Sequence, residues 1–304
     1  MSNEEITKKG PDKRLITGIV VGSSVLACLF AGGYILATCV AVFVFFSLKE
    51  YVQILNHKGF QPSFRIILFI SFLLFIISVA HLEKLYPIVL FIGITLSFCA
   101  VLFKLRQPYI ANVATTVFGF ILCWLPCHIY LLRGLGASGK GFLTLFEQNE
   151  GLGFLILLFF TILATDIAAF LVGKNFGKTK LCPDVSPKKT VEGAVGGAIA
   201  AIITAFLFGQ CIGLTIAQSV ISGVLITVFA QIGDLSESLL KRDAGVKDSG
   251  NSLPGHGGFL DRADSYLISA PVAYYYFKFF VMTDFTWLNL ISTVQKVLSN
   301  VGLS

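Results

Sequence analysis

About nine stretches of this chain run close to 20 residues, are dominated by Leu, Ile, Val, Phe and Ala, and are bounded by charge, proline or glycine. A helix needs about 20 apolar residues to cross about 30 Å of hydrocarbon, so this pattern predicts a chain threaded repeatedly through a bilayer. The stretches are roughly 15–31, 33–48, 64–80, 86–103, 110–132, 151–173, 191–210, 213–233 and 264–283. With 55% hydrophobic residues, 13% charged residues and a mean hydropathy of +0.82, the composition is that of lipid-embedded protein. The expected fold class is therefore an all-α polytopic membrane protein with about nine transmembrane helices. The second stretch follows the first after a short Gly-Gly-Tyr turn, with no cleavage site or polar spacer, so the first is expected to be a retained span and not a signal peptide.

The basic residues predict the orientation. With a cytoplasmic N-terminus, all of the 23 Lys and Arg except Lys84, Arg133, Lys140, Lys278 and Lys296 fall on the cytoplasmic side. The net charge of +6 follows from that asymmetry, and no aromatic-and-basic stripe marks a nucleic-acid surface. The seven cysteines, at 28, 39, 99, 123, 127, 182 and 211, show no C-x-x-C spacing and read as small buried hydrophobes.

Polar chemistry is concentrated late in the chain. Residues 1–105 read as scaffold helices, 106–150 as a middle helix with an external loop, and 151–304 as catalytic helices with cytoplasmic loops. Between 15 and 132 the charges are few and lie at expected turns, whereas Asp166, Asp184, Glu192, Asp234, Glu237, Asp243, Asp248, Asp261 and Asp264 fall between 166 and 264.

Asp166, in "TILATDIAAF", is an acid within an apolar run, which costs a few kcal/mol unless it is paired or lines a wet cavity. In "QIGDLSESLLKRDAG", Asp234, Ser238 and Lys241 share a helical stripe with Glu237 beside it; ordinary surface pairing explains Glu237 and Lys241 but not Asp234. In "PGHGGFLDRADS", a glycine-rich loop precedes Asp261, Asp264 and Ser265 at the start of the last stretch. Such acids are often caps, yet two on one face opposite Asp234 suit a hard divalent cation, and Mg²⁺ is the natural candidate for a site of oxygen ligands. His256 is a weak metal signal and reads better as a phosphate donor or a loop-shaping residue.

Lys174, Lys178, Lys180, Lys188, Lys189, Lys241, Arg242, Lys247 and Arg262 surround these acids. Cations around a divalent-metal centre suit a polyphosphate substrate, although some of them serve topology and anionic lipid heads. "GKNFGKT" at 173–179 is rejected as a P-loop, because it has three residues between its glycines and follows a membrane helix. Ser186 and Pro187 in "SPKK" read as N-cap and first residue of the helix that follows.

Residues 238–264, "SLLKRDAGVKDSGNSLPGHGGFLDRAD", resemble the signature of the phosphatidate cytidylyltransferases, or CDP-diacylglycerol synthases: S-x-L-K-R, four residues, K-D, then L-P-x-H-G-G and D-R-x-D. "TDIAAFLVGKNFGKTKLCPDVSPKKTVEG" at 165–193 is similar to the upstream segment of that family. Ala263 stands where a larger apolar residue or threonine is usual, and Ile167 where threonine is frequent.

The resemblance implies that CTP and phosphatidate give CDP-diacylglycerol and pyrophosphate with Mg²⁺ at the cytoplasmic face, in a homodimer within a bacterial inner membrane. It implies Asp234, Asp261 and Asp166 as metal ligands and Asp264 as a further catalytic acid. Lys241, Arg242, Lys247, His256 and Arg262 would hold phosphates, with Ser186 and Lys189 over the site. A second, monovalent cation such as K⁺ is left open. A CTP-dependent polyprenol or phytol kinase and a cation-coupled transporter are the competing readings. The intact K-D…H-G-G…D-R-x-D run disfavours the first, and the gathering of acids at one edge disfavours the second.

Overall fold

The computed structural model describes residues 13–104, 107–136, 150–250, 252 and 257–282. Its helices are α1 (Lys13–Ala31), α2 (Gly33–His57), α3 (Phe64–Val79), α4 (Tyr86–Lys104), α5 (Tyr109–Trp124), α6 (Cys127–Arg133), α7 (Glu150–Phe176), α8 (Val191–Cys211), α9 (Ile216–Asp243) and α10 (Leu260–Tyr276). Six helical segments among the described residues are long and apolar enough to cross a membrane, namely Gly33–His57, Glu83–Lys104, Tyr109–Arg133, Glu150–Phe176, Val191–Cys211 and Ile216–Asp243. Large apolar side chains such as Phe72, Phe91, Phe103 and Ile110 face outward. An apolar exterior over long helices is what lipid requires, and the chain is a polytopic membrane protein.

Three local features depart from the sequence reading. The stretch at 110–132 is broken into α5 and α6 at Leu125–Pro126, because proline lacks an N–H and its ring crowds the preceding turn. A small hairpin, β1 (Lys180–Cys182) and β2 (Ser186–Thr190), precedes α8. Ser186 and Pro187 therefore lie in a strand and do not begin the helix. The N-cap is Thr190, whose extended backbone and Oγ1, accepting from the Gly193 amide at 3.2 Å, meet the requirement for a β-region residue with a side-chain acceptor.

The chain forms two compact units. The first comprises residues 1–131, 184–186 and 232–267, and the second 132–183, 187–231 and 268–304. In the first, α2, α3 and α5 enclose Leu48, Tyr51, Ile67, Ile70, Leu74 and Phe120. A Cβ on Gly119 would stand 2.7 Å from Ile67 Cδ1 and 2.8 Å from Tyr51 Cε1, so only glycine permits this approach. Tyr51 donates its hydroxyl to the Thr115 carbonyl at 2.7 Å, and the amides of Gln61 and Ser63 bond Asn112 Oδ1 and Thr116 Oγ1, tying the α2–α3 turn to α5.

In the second unit α8 carries small buried residues at intervals of four, Gly193, Gly197, Ala201, Ala205 and Gly209; the first two lie against α7, and Ala205 and Gly209 lie against Gly223 and Ser219 of α9. A Cβ on Gly197 would reach 2.8 Å from the Thr165 carbonyl. Without a hydrophobic force between helices in lipid, such close backbone contact supplies the association. Phe160 stacked on Phe208 at 4.9 Å adds to the α7–α8 contact, and Phe154 stacked on Phe277 at 4.2 Å between centroids ties α7 to the end of α10.

Candidate active site

Both helices that bear the site outlast their apolar runs. α9 continues to Asp243, past the expected end near 233, and α2 continues to His57, past the expected end near 48. On α2 the added turns keep a 3.6-residue apolar period, with Tyr51, Ile54 and Leu55 buried, so side-chain packing extends that helix beyond the span; on α9 the buried positions of the added turns are the charged Glu237 and Lys241.

A buried charge cluster lies where α9 meets the start of α10, within the first unit. Lys241 on α9 pairs with Glu237 one turn back and sends Nζ to Asp261 Oδ1 at 2.6 Å. The side chains are 11%, 2% and 7% exposed, so this is a desolvated triad in which one cation faces two carboxylates. Glu237 was read as a helix-surface pair; it is paired with Lys241, but in the interior. Among the described residues the Lys241 ammonium is the one donor that reaches its carboxylate oxygens.

Asp261 is held on its other side as well. Its Oδ2 accepts from the Ser249 amide, the Gly258 amide and the Ser249 hydroxyl, each at 2.9 Å. Burial raises the carboxyl pKa, but Lys241 and the two amides outweigh it and hold Asp261 below the usual aspartate range. The glycines of the signature follow from this packing. Gly257 takes φ +79°, and a Cβ there would stand 2.7 Å from Asp261 Oδ2; one on Gly258 would fall on the Ser249 hydroxyl.

A residue from the presumed scaffold completes the turn. Glu50 on α2 is 2% exposed, and Oε1 accepts from the Ser252 hydroxyl at 2.7 Å and the Phe259 amide at 3.0 Å. Oε2 accepts from the Leu260 amide and lies in hydrogen-bond range of the Ser249 hydroxyl, both at 2.9 Å. The same face of α2 carries Phe46, stacked on Phe259 at 4.8 Å, and Phe43, edge-on to it at 6.0 Å. Further along α2, His57 Nδ1 is 3.2 Å from the Ala244 carbonyl and Lys58 pairs with Asp243. The sequence signal for Glu50 was an acid in a Lys-Glu-Tyr segment at the edge of a span, which resembles any turn charge.

Asp234 and Asp264 are half-buried, and Gly233 leaves no room for a Cβ against the Asp264 carbonyl, which brings α9 and α10 together at that level. Arg242 is exposed and donates to the carbonyls of Val185 at 3.3 Å and Val246 at 3.1 Å. Lys247 and Arg262 are exposed, and Ser186 is half-buried in β2. Asp166, exposed on α7, and Lys189, half-buried in β2, belong to the second unit. There Glu192 accepts from the amides of Lys178 and Thr179 at 3.1 Å each, joining the end of α7 to the start of α8. His256 lies outside the described residues.

No group of three or more His, Cys, Asp and Glu positioned to hold a metal occurs among the described residues. Mg²⁺, however, is commonly held by one or two carboxylates together with waters and substrate phosphates. A donor set made only of oxygens, with a buried Glu237 carboxylate whose one donor among the described residues is the Lys241 ammonium, fits such a hard cation.

Residues 12–280 match the model of the cytidylyltransferase family. The chain is 34% identical over 287 residues to a phosphatidate cytidylyltransferase of Synechocystis sp., covering 88% of this chain and 96% of that protein. It is 35% identical over 296 residues to the chloroplastic phosphatidate cytidylyltransferase 5 of Arabidopsis thaliana, covering 86% and 70%. A phosphatidate cytidylyltransferase of Staphylococcus saprophyticus is 40% identical over 146 residues, or 47% of this chain and 56% of that protein. The family match spans the scaffold helices and the charged turn alike, and the chain belongs to the cytidylyltransferase family.

Proposed function

We propose that this protein is a phosphatidate cytidylyltransferase, which joins CTP and phosphatidate to give CDP-diacylglycerol and pyrophosphate. The observation that carries the reading is the buried Glu237–Lys241–Asp261 cluster beneath a signature turn, in a chain whose relatives along most of its length bear that name. A phosphate oxygen of phosphatidate attacks the α-phosphorus of CTP, the bond to the β-phosphate oxygen breaks, and pyrophosphate leaves. Because the attacking oxygen is already ionised near neutral pH, the protein must chiefly align two anions and offset the charge of the leaving group.

Asp234 and Asp261 hold Mg²⁺ in this reading, with Asp264 as a further acid beside them. When bound, Mg²⁺ neutralises phosphate charge and polarises the reacting phosphoryl group. Lys241 fixes the Asp261 carboxylate through Oδ1, and the Ser249 and Gly258 amides orient its other oxygen. Lys247, Arg262 and the free donors of Arg242 take phosphates of CTP or phosphatidate. The family resemblance alone supports Asp166 as a metal ligand, Ser186, Lys189 and His256 as substrate contacts, a bound monovalent cation and a homodimer. A cytoplasmic N-terminus and about nine spans agree with the distribution of Lys and Arg, and a bacterial inner membrane is part of the same proposal.

Phosphatidate stays in the bilayer while CTP arrives from water, which accounts for a polar turn at the end of membrane helices. The test is pyrophosphate release by detergent-purified protein given CTP, Mg²⁺ and phosphatidate, with diacylglycerol in a parallel reaction. Release with phosphatidate alone is expected. Release with neither lipid from folded protein would overturn the reading.

A further inference from the structure

We propose that Glu50 is a positioning residue of the transfer reaction, a buried carboxylate that holds the signature turn in the geometry that Asp261 needs. The proposal rests on the function assigned above. Each oxygen of Glu50 accepts from one backbone amide and has one serine hydroxyl in hydrogen-bond range: Phe259 and Ser252 on Oε1, Leu260 and Ser249 on Oε2, the Ser249 hydroxyl being shared with Asp261 Oδ2. Leu260 begins α10, so Glu50 occupies the place of an N-terminal cap supplied from another helix.

The turn is built around this carboxylate. A Cβ on Gly250 would lie 3.0 Å from Glu50 Oε1, and one on Gly258 would fall on Oε2. Phe46 and Phe43, one and two turns before Glu50 on α2, grip Phe259 and fix the approach. The link to the reacting centre is short. The Ser249 hydroxyl stands 2.9 Å from both Glu50 Oε2 and Asp261 Oδ2, and the Ser249 amide donates to that same Asp261 oxygen. Glu50 touches neither substrate nor metal in this account; it sets where Ser249, and through it Asp261, can stand.

Glu50→Gln is the informative variant. Whichever oxygen becomes NH₂, one serine can rotate to accept from it, but one buried backbone amide then faces a second donor. Leaving a buried donor unmatched corresponds to roughly 10- to 100-fold in a local equilibrium. The experiment compares full-length wild type, Glu50→Gln and the milder Ser252→Ala in detergent with lipid. It measures pyrophosphate release against Mg²⁺ concentration, hydrogen exchange of the amides of residues 257–262, and the thermal midpoint.

The expected result for Glu50→Gln is exchange on the order of 10- to 100-fold faster in that segment and a half-saturating Mg²⁺ concentration raised several-fold. Ser252→Ala, which removes one hydroxyl and no backbone partner, should shift both in the same direction by less. Faster exchange with unchanged Mg²⁺ dependence would reduce Glu50 to a structural clamp and overturn the proposal. Unchanged exchange would overturn it as well. If Glu50→Gln does not fold, Ser252→Ala decides on the same two readouts. Wild type that releases no pyrophosphate would instead overturn the function on which the proposal rests.

Discussion

Replacing Lys241 by Met tests the charge cluster most severely. Met keeps the length and most of the apolar stem of the side chain but removes the cation that, among the described residues, stands between Glu237 and Asp261. Breaking a buried ion pair from one side costs about 3–5 kcal/mol, because the remaining charge stays desolvated. Here two carboxylates remain, 2% and 7% exposed, and only Asp261 has amide donors to soften the loss. At about 2 °C per kcal/mol for a chain of this size, the thermal midpoint should fall by roughly 6–10 °C. Adding Glu237→Gln removes the carboxylate with no other support and should recover at least about 1 kcal/mol relative to additivity. The assay is thermal unfolding in detergent of wild type, both single variants and the double variant, with activity measured in parallel. A single-variant shift within 2 °C, the range of an exposed pair worth about 1 kcal/mol, would refute the argument that the cluster is desolvated, as would strict additivity.

Asp261 ties stability to acid in metal-free protein. Its folded-state pKa lies below the ordinary 3.8, so its contribution is complete above that value and is lost as pH falls through the lower folded value; Lys241→Met should move the acid-unfolding midpoint to higher pH. Thr190→Ala should destabilise the protein by about 1 kcal/mol through the lost α8 cap, and Thr190→Ser should retain most of it, both read by thermal unfolding. Gly197→Val forces a side chain against the Thr165 carbonyl on α7 and should cost about 1–3 kcal/mol or more, with folded protein recovered in lower yield. Chelation of divalent cations should abolish pyrophosphate release and Mg²⁺ should restore it; full activity in the chelator would remove the metal from the account.

The membrane helices were legible because a bilayer imposes a length on apolar runs, and little else produces runs such as 151–173 or 191–210. What hydropathy could not report is where a helix continues into the aqueous phase. α2 and α9 each extend about two and a half to three turns beyond their runs, α2 on apolar packing and α9 on a buried ion pair, and those turns carry Glu50, Glu237 and Lys241. The start of α8 was misplaced because Ser-Pro is a strong local helix signal, whereas pairing with Lys180–Cys182 makes the same residues a strand. The signature turn was recognised from its motif, and the reason for its glycines came only with the structure. They leave room for two carboxylates, one of them from a helix some 200 residues earlier in the chain. Sequence spacing has no means of bringing Glu50 to Phe259, since the pairing is set by how α2 and the turn pack.

Whether this chain moves a cytidylyl group is read from the fate of a radiolabel in CTP. Purified protein with phosphatidate and Mg²⁺ is given CTP labelled either at the α- or at the γ-phosphate, and the lipid phase is counted. Label is expected in lipid from the α position and in released pyrophosphate from the γ position. Label entering lipid from the γ position would make the protein a CTP-dependent kinase and overturn cytidylyl transfer, and label in lipid from neither position, with the protein shown to be folded, would overturn it equally.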